Sequence, residues 1–202
     1  MRLQAPLAVV TPSLDGDVLY VLARADTWFT APRLTHQLDD RSVEGVRRVL
    51  NRLVSEGVVE RESSSHTPLY RLNREHLAAP AIVELATLRE KLITRMGEAM
   101  HAWGHAPRYA ALFGSAVSGS MRPDSDLDLF LVRPRDAGSS WSDDVAALVA
   151  AASRWTGNDV RPLEYGEAEI EGGDDPVLRD IEQSGITLSG DRAWFRRALA
   201  KR

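Results

Sequence analysis

The sequence has 202 residues, 44% of them hydrophobic and 27% charged, with a formal net charge of −4. That composition suits a globular protein with a full core, in one large or two small domains. The absence of cysteine excludes disulfide frameworks and thiolate metal sites. No charged start leads into an apolar run and no stretch reaches about 18 apolar residues, which predicts a cytoplasmic protein with no membrane partner. Residues 1–80 carry 10 Lys+Arg against 10 Asp+Glu, and residues 81–202 carry 15 against 19. The acidity thus lies in the second part and leaves the first free to meet nucleic acid.

Taken in chain order, residues 13–25 read as a helix capped by Ser13, with Leu14, Val18, Leu22 and Val21 on its apolar face. Trp28-Phe29-Thr30 is strand-like. Thr30 then caps a second helix with Pro32 in its first turn, running through Leu34 and Leu38 to a break at Asp39-Asp40. A third helix spans Ser42 to Glu56, with Val43, Val46, Val49, Leu50, Leu53 and Val54 inward and Gly57 as its stop. Two strands, Val58–Glu62 and Leu69–Leu72, follow around the polar tip Ser63-Ser64-Ser65-His66-Thr67-Pro68. Three short helices and a hairpin in this order resemble a winged helix-turn-helix domain. The resemblance implies double-stranded DNA as partner, with the third helix in the major groove and the hairpin as the wing. Arg41, Arg47, Arg48, Asn51 and Arg52 would then supply phosphate and guanine contacts. The same arginines also suit a solvated face, and Glu44 and Glu56 weaken their field.

From Glu75 to Trp103 the chain reads as helix, interrupted near Pro80. Ile82, Leu85, Leu88, Leu92, Met96, Met100 and Trp103 recur every three or four residues. Such a stripe fits either a linker helix or a homodimer contact through residues 82–103. His101 and His105 stand at i, i+4, but no further ligands accompany them and Gly104 separates them, so a zinc site is not expected.

The second half carries the chemistry. Leu112-Phe113-Gly114-Ser115 is followed, after ten residues, by Asp126-Leu127-Asp128-Leu129-Phe130-Leu131-Val132. In a strand, residues at i and i+2 share a face, so Asp126 and Asp128 stand side by side with Leu127, Leu129 and Leu131 in the core behind them. Paired carboxylates repel unless a cation joins them, and hard oxygen donors suit Mg²⁺ (or Mn²⁺). Gly114-Ser115 offers the close backbone approach and the donors that a phosphate needs. Trp141–Trp155 reads as a helix, Asp159–Tyr165 as a strand, Val177–Gln183 as a helix, Ile186–Leu188 as a short strand and Asp191–Ala200 as a closing helix. The alternation predicts a small mixed sheet with helices on one side.

Gly114-Ser115, ten residues, then Asp126-x-Asp128 resembles the signature of the DNA-polymerase-β-like nucleotidyltransferase superfamily, in its minimal nucleotidyltransferase branch, over roughly residues 108 to 190. The overall expectation is an α/β (α+β overall) protein. A winged helix-turn-helix domain would occupy residues 1–75, a linker helix 76–104, and a small mixed-sheet nucleotidyltransferase domain 105–202. The resemblance implies NMP transfer from an NTP to a hydroxyl acceptor, with nucleotide contacts from Gly114, Ser115 and Ser125. Asp126 and Asp128 would bind the metal and act in catalysis. It also implies a third carboxylate on the neighbouring strand. Two residues qualify, Glu164 and Asp159, on opposite faces; Glu164 is chosen because it lies further into the strand. Relatives commonly carry an Arg before the motif's second Gly, where this chain has Ser118-Gly119, with Arg122 nearby. Two other readings accompany the enzyme. One is a DNA-binding transcriptional regulator with a nucleotide-sensing fold, and the other is an antitoxin-like partner of a HEPN-type toxin.

Overall fold

The computed structural model describes residues 1–38, 41–63, 67–173 and 175–201. They form two compact units, one of Ala5–Arg89 and one of Met1–Gln4 with Glu90–Arg202. The expected helix break at Asp39-Asp40 and residues Ser64, Ser65 and His66 of the hairpin tip lie outside the described residues.

In the Ala5–Arg89 unit, a 3₁₀ turn at Pro6–Val9 precedes α1 (Leu14–Arg24), β1 (Phe29–Thr30), α2 (Ala31–His36), α3 (Val43–Ser55), β2 (Val59–Glu62), β3 (Leu69–Leu72) and α4 (Ala79–Ala86). The local signals explain most boundaries. Thr30 accepts the Arg33 N–H at 3.3 Å and Ser42 the Gly45 N–H at 3.1 Å, caps worth about 1 kcal/mol each. Gly57, at φ +75°, ends α3. Ser13 does precede α1, but its hydroxyl donates to Asp15 Oδ2 at 3.1 Å instead of accepting a backbone N–H. The strands pair antiparallel in the order β1-β3-β2, with Phe29 and Arg61 both opposite Tyr70. Val18, Leu22, Phe29, Leu34, Val46, Leu50, Val59 and Leu72 bury together between helices and sheet.

The long helix predicted from Glu75 to Trp103 is two helices, and its break is not at Pro80. Pro80 sits in the first turn of α4, where a missing N–H leaves no bond unmade. The interruption falls at Thr87, before α5 (Leu88–His101); the Thr87 hydroxyl donates to the Val83 carbonyl at 3.1 Å. The apolar stripe is divided accordingly. Ile82 and Leu85 pack on the core of the first unit, while Leu92, Met96 and Met100 are buried in the second. Those three side chains are spent within the chain and are not available to a second copy.

The second unit continues with β4 (Tyr109–Phe113), α6 (Ser115–Ser118), β5 (Leu127–Arg133), α7 (Trp141–Thr156), β6 (Val160–Gly166), α8 (Glu167–Ile170), α9 (Pro176–Ser184), β7 (Ile186–Gly190) and α10 (Arg192–Leu199). The sheet order is β6-β5-β4-β7, with β5 parallel to β6 and the other pairs antiparallel. Helices cover both faces, not one. On one face Leu127, Leu129, Leu131, Ala110 and Leu112 meet Met96 and Met100 of α5 and Val145, Leu148 and Ala152 of α7, together with Leu3. On the other, Tyr109, Phe130 and Val132 meet Leu178 and Ile181 of α9 and Phe195 of α10, with the Tyr109 and Phe195 rings stacked at 4.5 Å. A sheet covered on both sides needs apolar residues at consecutive positions, and Leu127–Val132 supplies them at every place except Asp128.

Candidate functional site

The register of β4 on β5 brings the motif together. Phe113, the last residue of β4, lies opposite Asp128. The chain therefore leaves the sheet at Gly114, directly beside that carboxylate. Gly114 has φ +65° and ψ −137°, and a Cβ there would stand 2.5 Å from Asp128 Oδ2. No other residue type fits both the backbone conformation and the space. Ser115 begins α6, a single turn that ends where Gly119 turns left-handed at φ +73°.

Asp126 precedes β5 and is set by a clamped turn. Ser125 Oγ accepts the Arg122 N–H at 2.8 Å, and the Ser125 carbonyl accepts from the buried Asn158 Nδ2 at 2.8 Å. Leu127 N–H donates to the Asp159 carbonyl at 2.7 Å, tying β5 to the start of β6. The role the geometry gives Ser125 is thus to shape the turn that presents Asp126. Both aspartates are half-buried. Burial, and then the charge of Asp126, push the Asp128 carboxyl above the usual carboxylate range, with Arg161 pulling the other way.

Glu164 does not join them. In the parallel β5–β6 register Glu164 is opposite Leu131, and Asp128 is opposite Arg161. Paired positions on neighbouring strands share a face, so Glu164 lies on the face of Leu131, across the sheet from the aspartates. There its Oε2 accepts the indole N–H of Trp141 at 2.6 Å. The other candidate, Asp159, lies two residues before Arg161 and on the aspartate face.

Sequence reasoning passed over Arg161. Its Nη1 is 2.8 Å from Asp126 Oδ2 and its Nε 3.6 Å from Asp159 Oδ2, so one guanidinium bridges two carboxylates. Position 161 shares parity with 159, and a parallel strand beside Asp126-x-Asp128 presents one parity to that pair; which parity it is depends on the β5–β6 register, which puts Arg161 opposite Asp128. The donor set is oxygen-only and suits a hard divalent cation. Two carboxylates with an arginine beside them fit one Mg²⁺ that keeps water and phosphate oxygens as its remaining ligands. They do not fit a closed all-protein cage, and no group of three or more His, Cys, Asp or Glu is placed to hold a metal among the described residues. His101 and His105 likewise form no pair on one helix: α5 ends at His101, whose Nδ1 contacts the Gly97 carbonyl at 2.7 Å.

In the Ala5–Arg89 unit the predicted DNA contacts divide. Arg41 pairs with Asp17 at 2.8 Å, and Arg52 Nε with Asp15 at 3.0 Å, both acids lying in the first turn of α1. Burial raises the Asp15 carboxyl, but the Arg52 and Ser13 hydrogen bonds outweigh it and hold the group below its usual range. Arg47 stands 3.9 Å from Glu44. Arg47, Arg48 and Asn51 are exposed together on α3. None of the described helices is long and apolar enough to cross a membrane.

Residues 102–176 match the sequence model of the nucleotidyltransferase domain family. That span holds β4, Gly114-Ser115, both aspartates, Asp159, Arg161 and Glu164. No curated protein sequence matches the chain. Two solved structures align with part of it. One is a toxin–antitoxin crystal structure with AMP-PNP, at 15% identity and TM-score 0.40, covering 55% of this chain and 81% of that one. The other is a crystal structure of the toxin–antitoxin MntA-HepT, at 12% identity and TM-score 0.38, covering 55% of this chain and 80% of that one.

Proposed function

We propose that the second unit is a nucleotidyltransferase that uses a nucleoside triphosphate with one Mg²⁺ (or Mn²⁺) at Asp126 and Asp128. The observation that carries this reading is the seating of Gly114 against Asp128, which brings the Gly-Ser turn into contact with the carboxylate pair. The family match over residues 102–176 supports the same reaction class. Gly114 admits the triphosphate close to the backbone, and the Ser115 hydroxyl offers it a donor. Asp126 and Asp128 would hold the metal, which when bound supplies neutralisation of charge on the phosphate oxygens. The acceptor hydroxyl oxygen bonds the α-phosphorus as the bond to pyrophosphate breaks, and the hydroxyl proton passes to the Asp159 carboxylate and on to water. Asp159 is the third carboxylate on the reacting side; Glu164, behind the sheet, has no part in the chemistry.

We further propose that the Ala5–Arg89 unit is a winged helix-turn-helix module that binds double-stranded DNA. Its helices, its three-stranded antiparallel sheet and the exposed Arg47, Arg48 and Asn51 on α3 support this. It would bring the enzyme to DNA or regulate its transcription.

A thermal-shift titration with each of the four nucleoside triphosphates, with and without Mg²⁺, tests the nucleotide site. A ligand at 100 times its Kd adds about 2.7 kcal/mol, a rise of roughly 5–10 °C for a chain of this size. The rise should need Mg²⁺, vanish in Asp126→Asn/Asp128→Asn, and persist in Glu164→Gln. Loss in Glu164→Gln with retention in the double variant would reverse the assignment of faces.

A further inference from the structure

Arg161 sits at the center of the candidate site without a role in the reading above. It is largely exposed, so it is not held by the core, yet its guanidinium lies against Asp126 and reaches Asp159. Position 161 is also the one β6 position directly opposite Asp128. The site therefore carries its own cation, placed where a free divalent ion would have to bind Asp126.

Building on the nucleotide reading, we propose that Arg161 makes metal entry conditional on nucleotide. In the free protein Arg161 holds Asp126 and leaves Asp128 as a lone carboxylate, too few ligands for a hydrated divalent ion that dehydrates reluctantly. A metal arriving with a triphosphate brings most of its ligand shell with it. It also brings phosphate oxygens, to which a planar guanidinium bonds better than to one carboxylate oxygen. Arg161 then moves from Asp126 to the phosphates, and Asp126 passes to the metal. No bond is made or broken in this exchange; one ion pair is traded for another. The site thus discriminates between free metal and metal–nucleotide, which differ in charge and in ligands already supplied.

The test titrates full-length protein with Mn²⁺ alone and with Mn²⁺·ATP, following free Mn²⁺ by electron paramagnetic resonance. In Arg161→Gln, affinity for Mn²⁺ alone should rise about five- to tenfold, and adding Asp126→Asn should cancel that gain. Affinity for Mn²⁺·ATP should fall in Arg161→Gln by about tenfold, the loss of a charge-assisted phosphate contact. Arg133→Gln removes an equal charge at the far end of β5, roughly 17 Å along the strand, and should change neither value. An unchanged Mn²⁺ affinity in Arg161→Gln, or an equal gain in Arg133→Gln, overturns the role of Arg161 while leaving the nucleotide reading intact. Failure of every variant and of the wild type to bind Mn²⁺·ATP overturns the nucleotide reading instead.

Discussion

Replacing Gly114 with alanine should be far more costly than a single methyl group suggests, and the structure separates two reasons. The backbone at φ +65°, ψ −137° is one that side chains rarely adopt, and the new Cβ would stand 2.5 Å from Asp128 Oδ2. Conformational strain of about 1–3 kcal/mol and overpacking of about 1–3 kcal/mol sum to roughly 2–6 kcal/mol. Gly119 supplies the reference. It has φ +73° but nothing within 4 Å of an added Cβ, so Gly119→Ala carries the strain alone, about 1–2 kcal/mol. Urea unfolding followed by tryptophan fluorescence reads this unit well, because Trp103, Trp141, Trp155 and Trp194 are four of the five tryptophans. If the difference is the clash, Gly114→Ala/Asp128→Ala should recover about 1–3 kcal/mol relative to additivity. Equal costs at Gly114 and Gly119, or strict additivity in the double variant, would refute the contact between the turn and the carboxylate.

Two further outcomes follow from the charges. The raised Asp128 carboxyl means that the folded chain keeps a proton which the unfolded chain has already lost just above the ordinary aspartate range, so stability falls as pH rises through that window. Asp128→Asn removes the penalty. It should raise Tm at pH 7 by about 2–4 °C, solvent screening holding the effect to about 1 kcal/mol or less, with the advantage shrinking as pH falls; a Tm gain independent of pH would contradict it. In the other unit, Asp15→Asn/Asp17→Asn frees Arg52 and Arg41 from their ion pairs. Binding to random duplex DNA at low salt, read by fluorescence anisotropy, should tighten about tenfold with a salt slope steeper by about 1–2; an unchanged slope would mean these arginines do not face phosphate.

Local rules read much of the chain well. Thr30, Ser42, Asp191 and Gly57 mark helix ends because each solves a problem within three or four residues of itself. The Asp126/Asp128 pair was legible for the same reason, since strand parity is local. What failed depended on registers between distant segments. Whether position 161 or 164 faces Asp128 is fixed by how β6 slides along β5, and nothing within Asp159–Tyr165 states that offset. The extent of helical cover was misjudged similarly. The apolar run Phe130-Leu131-Val132 signals a sheet buried on both faces, whereas the succession of strands and helices alone reads as a sheet with helices on one side. Pro80 was given a breaker's role that its position in the first turn of α4 does not carry.

Leu3 has one more consequence, for the order of events on the ribosome. It is fully buried in the core that α5, α7 and β5 build, and the Gln4 side chain donates to the Met121 carbonyl at 2.8 Å. These residues precede the Ala5–Arg89 segment in the chain, yet their surroundings are completed only after the α7 residues have been made. The Ala5–Arg89 core can close while synthesis continues, whereas the segment before it must wait as an open chain. The unit bearing the carboxylates is therefore the late one to mature, and its slowest contacts join the most widely separated parts of the sequence.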